Sequence, residues 1–229
     1  MKGPITGISS MATRQILAEL AAVYESRVGC KVTIQSMGGI AAAQRIRDGE
    51  PADVVILASD AMQQLDAGGF LLSESSIDFA FSDIAGAVRE GQPLPPLHDE
   101  NAVRDAMLAA RSIAYSTGPS GAHLKRLWAR WRIGDAIASR AIEAPPGVPV
   151  ASLVTDGKAD LGFQQLSELL GQPGIAIAGV LPPGAQQTTI FVAGIGKRSA
   201  QPERARDMIQ FLVSSEAVSA KARHGMQAA

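Results

Sequence analysis

Ser112-Ile113-Ala114-Tyr115-Ser116-Thr117-Gly118-Pro119-Ser120-Gly121-Ala122-His123-Leu124-Lys125-Arg126-Leu127-Trp128 runs a strand, a loop and a helix together. Ser112 to Tyr115 reads as a short buried strand. From Ala122 onward, Leu124, Leu127 and Trp128 recur along one face of an amphipathic helix. The loop between holds three hydroxyls (Ser116, Thr117, Ser120), two glycines (Gly118, Gly121) and Pro119. Ser120 suits a helix N-cap, and the glycines let backbone approach a ligand closely. A strand that ends in such a loop and opens a helix aims unpaired N–H groups at one spot, which favours an anion. An ordinary capped turn satisfies the same pattern.

The unit recurs on the N-terminal side. Pro4 to Ile8 is a strand, followed by Ser9-Ser10-Met11-Ala12-Thr13 and a helix from Thr13 to Arg27 with Ile16, Leu17, Leu20 and Val23 on one face. Lys31 to Gln35 leads through Ser36-Met37-Gly38-Gly39 into a helix from Ile40 to Arg47. Val54 to Leu57 is wholly apolar, as in a parallel sheet, and Ala58-Ser59-Asp60 opens a helix carrying Met62 and Leu65. Towards the C-terminus, strands are expected at Ile84 to Val88, from Ile142, at Asp160 to Gln165, at Ile175 to Ile177 and at Gln187 to Gly194. Helices are expected at Glu100 to Ala110, Val150 to Asp156, Pro202 to Val213 and Glu216 to His224. Such alternation predicts an α/β fold, in which ligands collect at the carboxyl ends of the strands.

The composition narrows the function. The 229 residues are 46% hydrophobic with a formal net charge of −1, which lacks the basic stripe of a nucleic-acid footprint. No run of about 18 apolar residues is present to span a membrane. Met1-Lys2-Gly3-Pro4 leads almost directly into a strand, so no signal peptide is visible. Cys30 is the only cysteine and reads as a buried, inert thiol. His98, His123 and His224 show no metal spacing, so neither a metal nor another cofactor is expected.

The order of elements resembles the periplasmic solute-binding proteins of ABC transporters, most closely their molybdate-binding branch. The resemblance covers nearly the full length. Its most specific block is Ala43-Gln44-Arg45-Ile46-Arg47-Asp48-Gly49-Glu50-Pro51-Ala52-Asp53-Val54 with Ala58-Ser59-Asp60. Ile5-Thr6 with Ser9-Ser10, the run from Leu153 to Phe163, and the helix pair after Pro202 support it. The resemblance implies a two-lobed type II binding-protein fold. Lobe one would be residues 1–81 plus 189–229 and lobe two residues 83–186. Two strands would cross near 82–83 and 187–188, with a hinged cleft for the ligand. Proteins of this branch hold an oxyanion with hydroxyls and helix N-termini.

Carried over by position, the first serine site falls on Ser9 or Ser10. The second falls on Gly38-Gly39, where the hydroxyl is lost. A backbone contact falls at Gly147-Val148, and the tyrosine that donates to molybdate falls on Gln165. Ser116, Thr117, Ser120 and Gly121 occupy the loop of another backbone contact, and Ser59 is a further candidate. The larger pocket and changed donors suit a di- or tricarboxylate better than a tetrahedral oxyanion. The expected function is therefore a monomeric, periplasmic binding protein that delivers a small organic anion to an ABC transporter permease. The alternative is an enzyme, since the branch also resembles aconitate isomerase, which moves a proton along an allylic system without a cofactor. Tyr115 and His123 are then the candidate acid–base groups, although Tyr115 reads better as a bonded strand residue and His123 as a helix-surface one. Arg14 is placed to reach a carboxylate or to make an exposed salt bridge. A ligand-sensing domain is a third reading, with no helix-turn-helix before Ile5.

Overall fold

The computed structural model describes residues 3–229; Met1 and Lys2, part of the sequence expectation about a leader, lie outside the described residues. The chain forms two compact units, one made of the residues up to Ser82 together with Ile190–Ala229, the other of Asp83–Thr189.

The first unit begins with β1 (Ile5–Ser10), a 3-10 turn (Met11–Thr13), α1 (Arg14–Val28), β2 (Val32–Met37), α2 (Gly39–Arg47), β3 (Val54–Ala58), α3 (Ser59–Ala67) and β4 (Ile77–Ser82). The second unit follows as β5 (Ile84–Arg89), α4 (Glu100–Ala109), β6 (Ile113–Tyr115), α5 (Pro119–Arg130), α6 (Gly134–Ile137), β7 (Ala141–Glu143), α7 (Val150–Thr155), β8 (Leu161–Gln165), α8 (Leu166–Leu169) and β9 (Ile175–Val180). The chain then returns to the first unit through β10 (Thr189–Ile195), α9 (Pro202–Val213), α10 (Val218–Arg223) and β11 (Met226–Ala228). Each unit is an α/β sheet, as the alternation predicts.

In the first unit the strand order is β11-β4-β10-β3-β1-β2. β1 is parallel to both β2 and β3, so the loops after these three strands leave from one edge. One face of the sheet carries Ile16, Leu17, Leu20, Met208 and Leu212; the other carries Ala42, Ala43, Met62 and Leu65. The α1 stripe continues to Tyr24, not Val23, which is 49% exposed. Tyr24 is the better-spaced partner of Leu20, and its hydroxyl donates to Asp207 Oδ2 at 2.6 Å, so burial leaves no polar atom unserved.

Asp53, in the block that carries the resemblance, is the clamp of this unit. It is buried and accepts from Thr6 N (2.9 Å), Thr6 Oγ1 (3.1 Å) and Ser199 Oγ (2.7 Å). Burial alone would raise its pKa, but these bonds outweigh it and hold the carboxyl below its ordinary value.

In the second unit the order is β7-β6-β8-β5-β9, with β6 parallel to β7 and β8. The loops after β6, β7 and β8 therefore share an edge too. Leu124, Leu127 and Trp128 of α5 are buried against one face with Val103 and Met107 of α4. Val150, Leu153 and Val154 of α7 cover the other.

Cys30 differs from expectation. It is half-buried and accepts from Arg204 Nη2, because it follows the C-cap of α1 at Gly29 and precedes β2.

Candidate functional site

The candidate groups lie on the loop edge of each sheet. In the first unit the structure separates the two serines after Ile8. Ser9 is fully buried, and its hydroxyl pairs with Ser36 Oγ at 2.8 Å. The parallel register sets Ser9 opposite Ser36, so the two side chains share a face. Ser10 caps the 3-10 turn: its Oγ accepts from Ala12 N at 3.2 Å, leaving its hydroxyl proton free to donate to a ligand. Ser36 is a hydroxyl that the sequence reading passed over. It stands two residues before Gly38, on the strand that leads to the position where the family serine is lost.

Gly38 is the N-cap of α2 and Gly39 its first residue, with no side-chain cap and no acid in the first turn. A Cβ at either glycine would meet nothing within 4 Å, so the space beside the first N–H groups of α2 is open. Ser59 is not the cap of α3. Ala58 holds that place, with Ser59 at the first helical position. Arg14, exposed at the start of α1, has no hydrogen-bond or ion-pair partner among the described residues.

In the second unit the loop after β6 is tightly built, but not as expected. Ser120 is not the N-cap of α5; Gly118 is, with Pro119 at the first helical position, where its missing N–H costs nothing. Ser120 is buried in the first turn and its hydroxyl bonds Ser116 Oγ at 2.9 Å, while Ser116 Oγ also accepts from Gly118 N at 3.2 Å. Gly121 is required: a Cβ there would lie 1.7 Å from the Ser116 carbonyl oxygen. The N–H groups of Ser120 and Gly121 thus head a twelve-residue helix with no acid in its first turn. Thr117 is exposed beside them.

The loop after β7 provides less than the resemblance implies. Val148 N donates to Pro145 O at 2.9 Å in a turn around Gly147 (φ 81°), so only the Gly147 N–H remains from that pair. At the end of β8, adjacent residues point to opposite faces. Gln164 Oε1 accepts from Val150 N at 3.1 Å and its Nε2 donates to Glu168 Oε1 at 2.7 Å. Gln165 is 1% exposed; its Nε2 donates to Thr189 Oγ1 at 2.7 Å, while its Oε1 has no partner among the described residues. Thr189 serves one end of this amide whichever way it is turned, and the other end is left for a ligand or water.

Tyr115 and His123 are both engaged. The Tyr115 hydroxyl donates to Glu143 Oε2 at 3.1 Å, and its ring meets Trp128 edge-on at 5.0 Å. Burial, then the Glu143 carboxylate, push its pKa up. Lys125 also bonds Glu143 Oε2 at 2.6 Å, which holds that carboxyl low. His123 is half-buried with Nε2 2.8 Å from the Ala185 carbonyl oxygen, and burial pushes its pKa down. It anchors α5 to the chain segment after β9. The titratable group that the sequence reading missed is Glu168, whose pKa burial raises to about 7.

Among the described residues no helix is long and apolar enough to cross a membrane, and no group of three His, Cys, Asp or Glu side chains is placed to hold a metal.

The comparisons with known proteins follow this geometry. The chain is 37% identical to an aconitate isomerase from a Pseudomonas species, over 97% of this chain and 87% of that protein. Its fold matches the periplasmic molybdate-binding protein of Azotobacter vinelandii with a TM-score of 0.82, at 22% identity over 97% of this chain and 98% of the other. It also matches PEB3 of Campylobacter jejuni bound to L-phospholactate, with a TM-score of 0.76 at 15% identity over 98% and 100% of the two chains. The family model for bacterial extracellular solute-binding proteins matches residues 5–227, and the chain belongs to that family.

Proposed function

We propose that this chain binds an aconitate-type tricarboxylate and interconverts its trans and cis isomers. The observation that carries the reading is the 37% identity to an aconitate isomerase across 97% of the chain. The candidate donors support it. In the first unit Ser10 and the uncapped start of α2, and in the second unit the Ser120 and Gly121 N–H groups and the free end of Gln165, are each neutral donors of the kind suited to carboxylates and to the carbanion character that develops when a proton leaves. Arg14, exposed at the start of α1 and without a partner among the described residues, is a cation in the first unit. The reaction transfers one proton between carbons of the same molecule and needs a base and such donors.

A second reading is a binding protein that delivers a small di- or tricarboxylate from the periplasm to an ABC transporter permease. The match to the extracellular solute-binding family favours it. Proton NMR of the protein with trans-aconitate in buffered heavy water separates the two. Conversion to the cis isomer with deuterium entering the substrate supports the isomerase. Ligand line broadening without conversion supports the binding protein alone. The absence of both effects rejects an aconitate ligand.

A further inference from the structure

We infer that Glu168 is the group that carries the proton in this isomerisation; the inference rests on the isomerase reading. Glu168 lies three residues beyond Gln165, on α8, at the end of β8 from whose edge the loops after β6 and β7 also leave. Its carboxyl is fixed from one side only. Oε1 accepts from Gln164 Nε2 at 2.7 Å, and the far end of that amide accepts from Val150 N at 3.1 Å. Both ends of Gln164 are occupied, so it holds the carboxyl in place against the start of α7. Oε2 accepts no hydrogen bond among the described residues, and no cation pairs with either oxygen. Of the charged residues around it, Asp83 lies at the α8 end, where its carbonyl accepts from Leu166 N at 2.8 Å and its carboxylate accepts from Thr188 Oγ1 at 2.6 Å; Arg89 of β5, Asp156 and Lys158 gather at the Leu161 end of β8, where Val88 pairs with Leu161.

The surroundings suit the task. A half-buried carboxyl without a cation is held near neutral pH, its pKa raised to about 7 by burial against the weaker effect of the Gln164 bond. Such a group takes and returns a proton at working pH. Tyr115 and His123 are less suited, because Glu143 and the Ala185 carbonyl already hold them.

One carboxylate completes the step. It removes a proton from the substrate methylene, and that C–H electron pair becomes the new C=C bond. The old π pair then takes a proton at the former vinylic carbon from the carboxylic acid, whose proton exchanges with water between the two steps. The double bond has moved by one position, and Glu168 ends as it began. The conformation about the former C–C single bond when the proton leaves sets the geometry of the new double bond, and no oxidant or reductant enters.

Glu168→Gln tests this, since the new amide oxygen still accepts from Gln164. Turnover of trans-aconitate is expected to fall at least about 100-fold, the lower range for loss of a general base, with aconitate affinity changed less than about threefold. For the unaltered protein, kcat/KM should rise as pH increases through about 7; that limb should be absent from the residual activity of Glu168→Gln. Glu168→Asp, which keeps the carboxyl and shortens its reach, should retain the limb at a reduced rate and stands in should the amide variant fail to fold. Turnover within about threefold of the unaltered protein in Glu168→Gln, or an Asp variant without the limb, overturns the assignment and leaves the isomerase reading standing. Absence of turnover in the unaltered protein overturns both.

Discussion

Lys221 on α10 is 1% exposed, with its ammonium 4.9 Å from the centroid of the Phe79 ring. It has no hydrogen bond or carboxylate partner among the described residues, and burial lowers its pKa from 10.5 to about 8. That lowering corresponds to a penalty of about 3 kcal/mol on the charged folded state. Below pH 8 both states are protonated and the penalty is in full force. Between about 8 and 10.5 the folded state sheds its proton while the unfolded state keeps it, so stability rises with pH. Above that range the penalty is gone. Lys221→Met removes the charge and keeps the volume, at the loss of a cation–π contact of about 1 kcal/mol. The variant should therefore be about 2 kcal/mol more stable than the parent at pH 7, with the gap closing by about pH 10.5. Urea unfolding at pH 7, 9 and 10.5 measures this. A variant less stable at pH 7, or a gap that stays constant across the series, refutes the reasoning.

Two further outcomes concern the loops. Gly121→Ala drives a methyl into the Ser116 carbonyl, so the loop after β6 must open; a loss of about 2 kcal/mol or more in unfolding free energy is expected, together with weaker aconitate binding by calorimetry. Ser10→Ala should weaken aconitate binding about tenfold while costing about 1 kcal/mol of capping stability, whereas Ser9→Ala should cost stability through the orphaned Ser36 and leave affinity within about twofold. Equal binding losses in the two serine variants would remove the distinction drawn between them.

Most of the strands and helices were legible because apolar runs such as Val54 to Leu57 alternate with helical spacing such as Leu124, Leu127 and Trp128. β4 was not placed, since Ile77 to Ser82 follows the polar run Ser73-Glu74-Ser75-Ser76 and only a crossing near 82–83 was expected. The cap of α5 was misplaced on Ser120 although the signal was present: Pro119 favours the first helical position and so puts the cap at Gly118. The apolar face of α1 was read to Val23, and Tyr24 takes that place because Asp207, distant in sequence, serves its hydroxyl. The Ser9–Ser36 pair needs the register of two parallel strands, which no local pattern encodes. The state of Glu168 depends on burial against α7 and on an amide four residues back, and neither is visible in a charged residue on a short polar stretch. The Gln165 amide was found by position, whereas its unserved oxygen depends on where Thr189 falls.

The division of the first unit between both ends of the chain governs the order in which it can be completed. β3 is bordered by β1 on one side and by antiparallel β10 on the other, and the Asp53 clamp closes only on Ser199. During synthesis, Val54-Val55-Ile56-Leu57 therefore presents an open, apolar strand edge until Ile195 has left the ribosome. The second unit, continuous from Asp83 to Thr189, is finished first. An unpaired edge of this kind is where nascent chains stick to one another. The price of a unit sewn shut by its own C-terminus is an interval in which its central strand must be shielded.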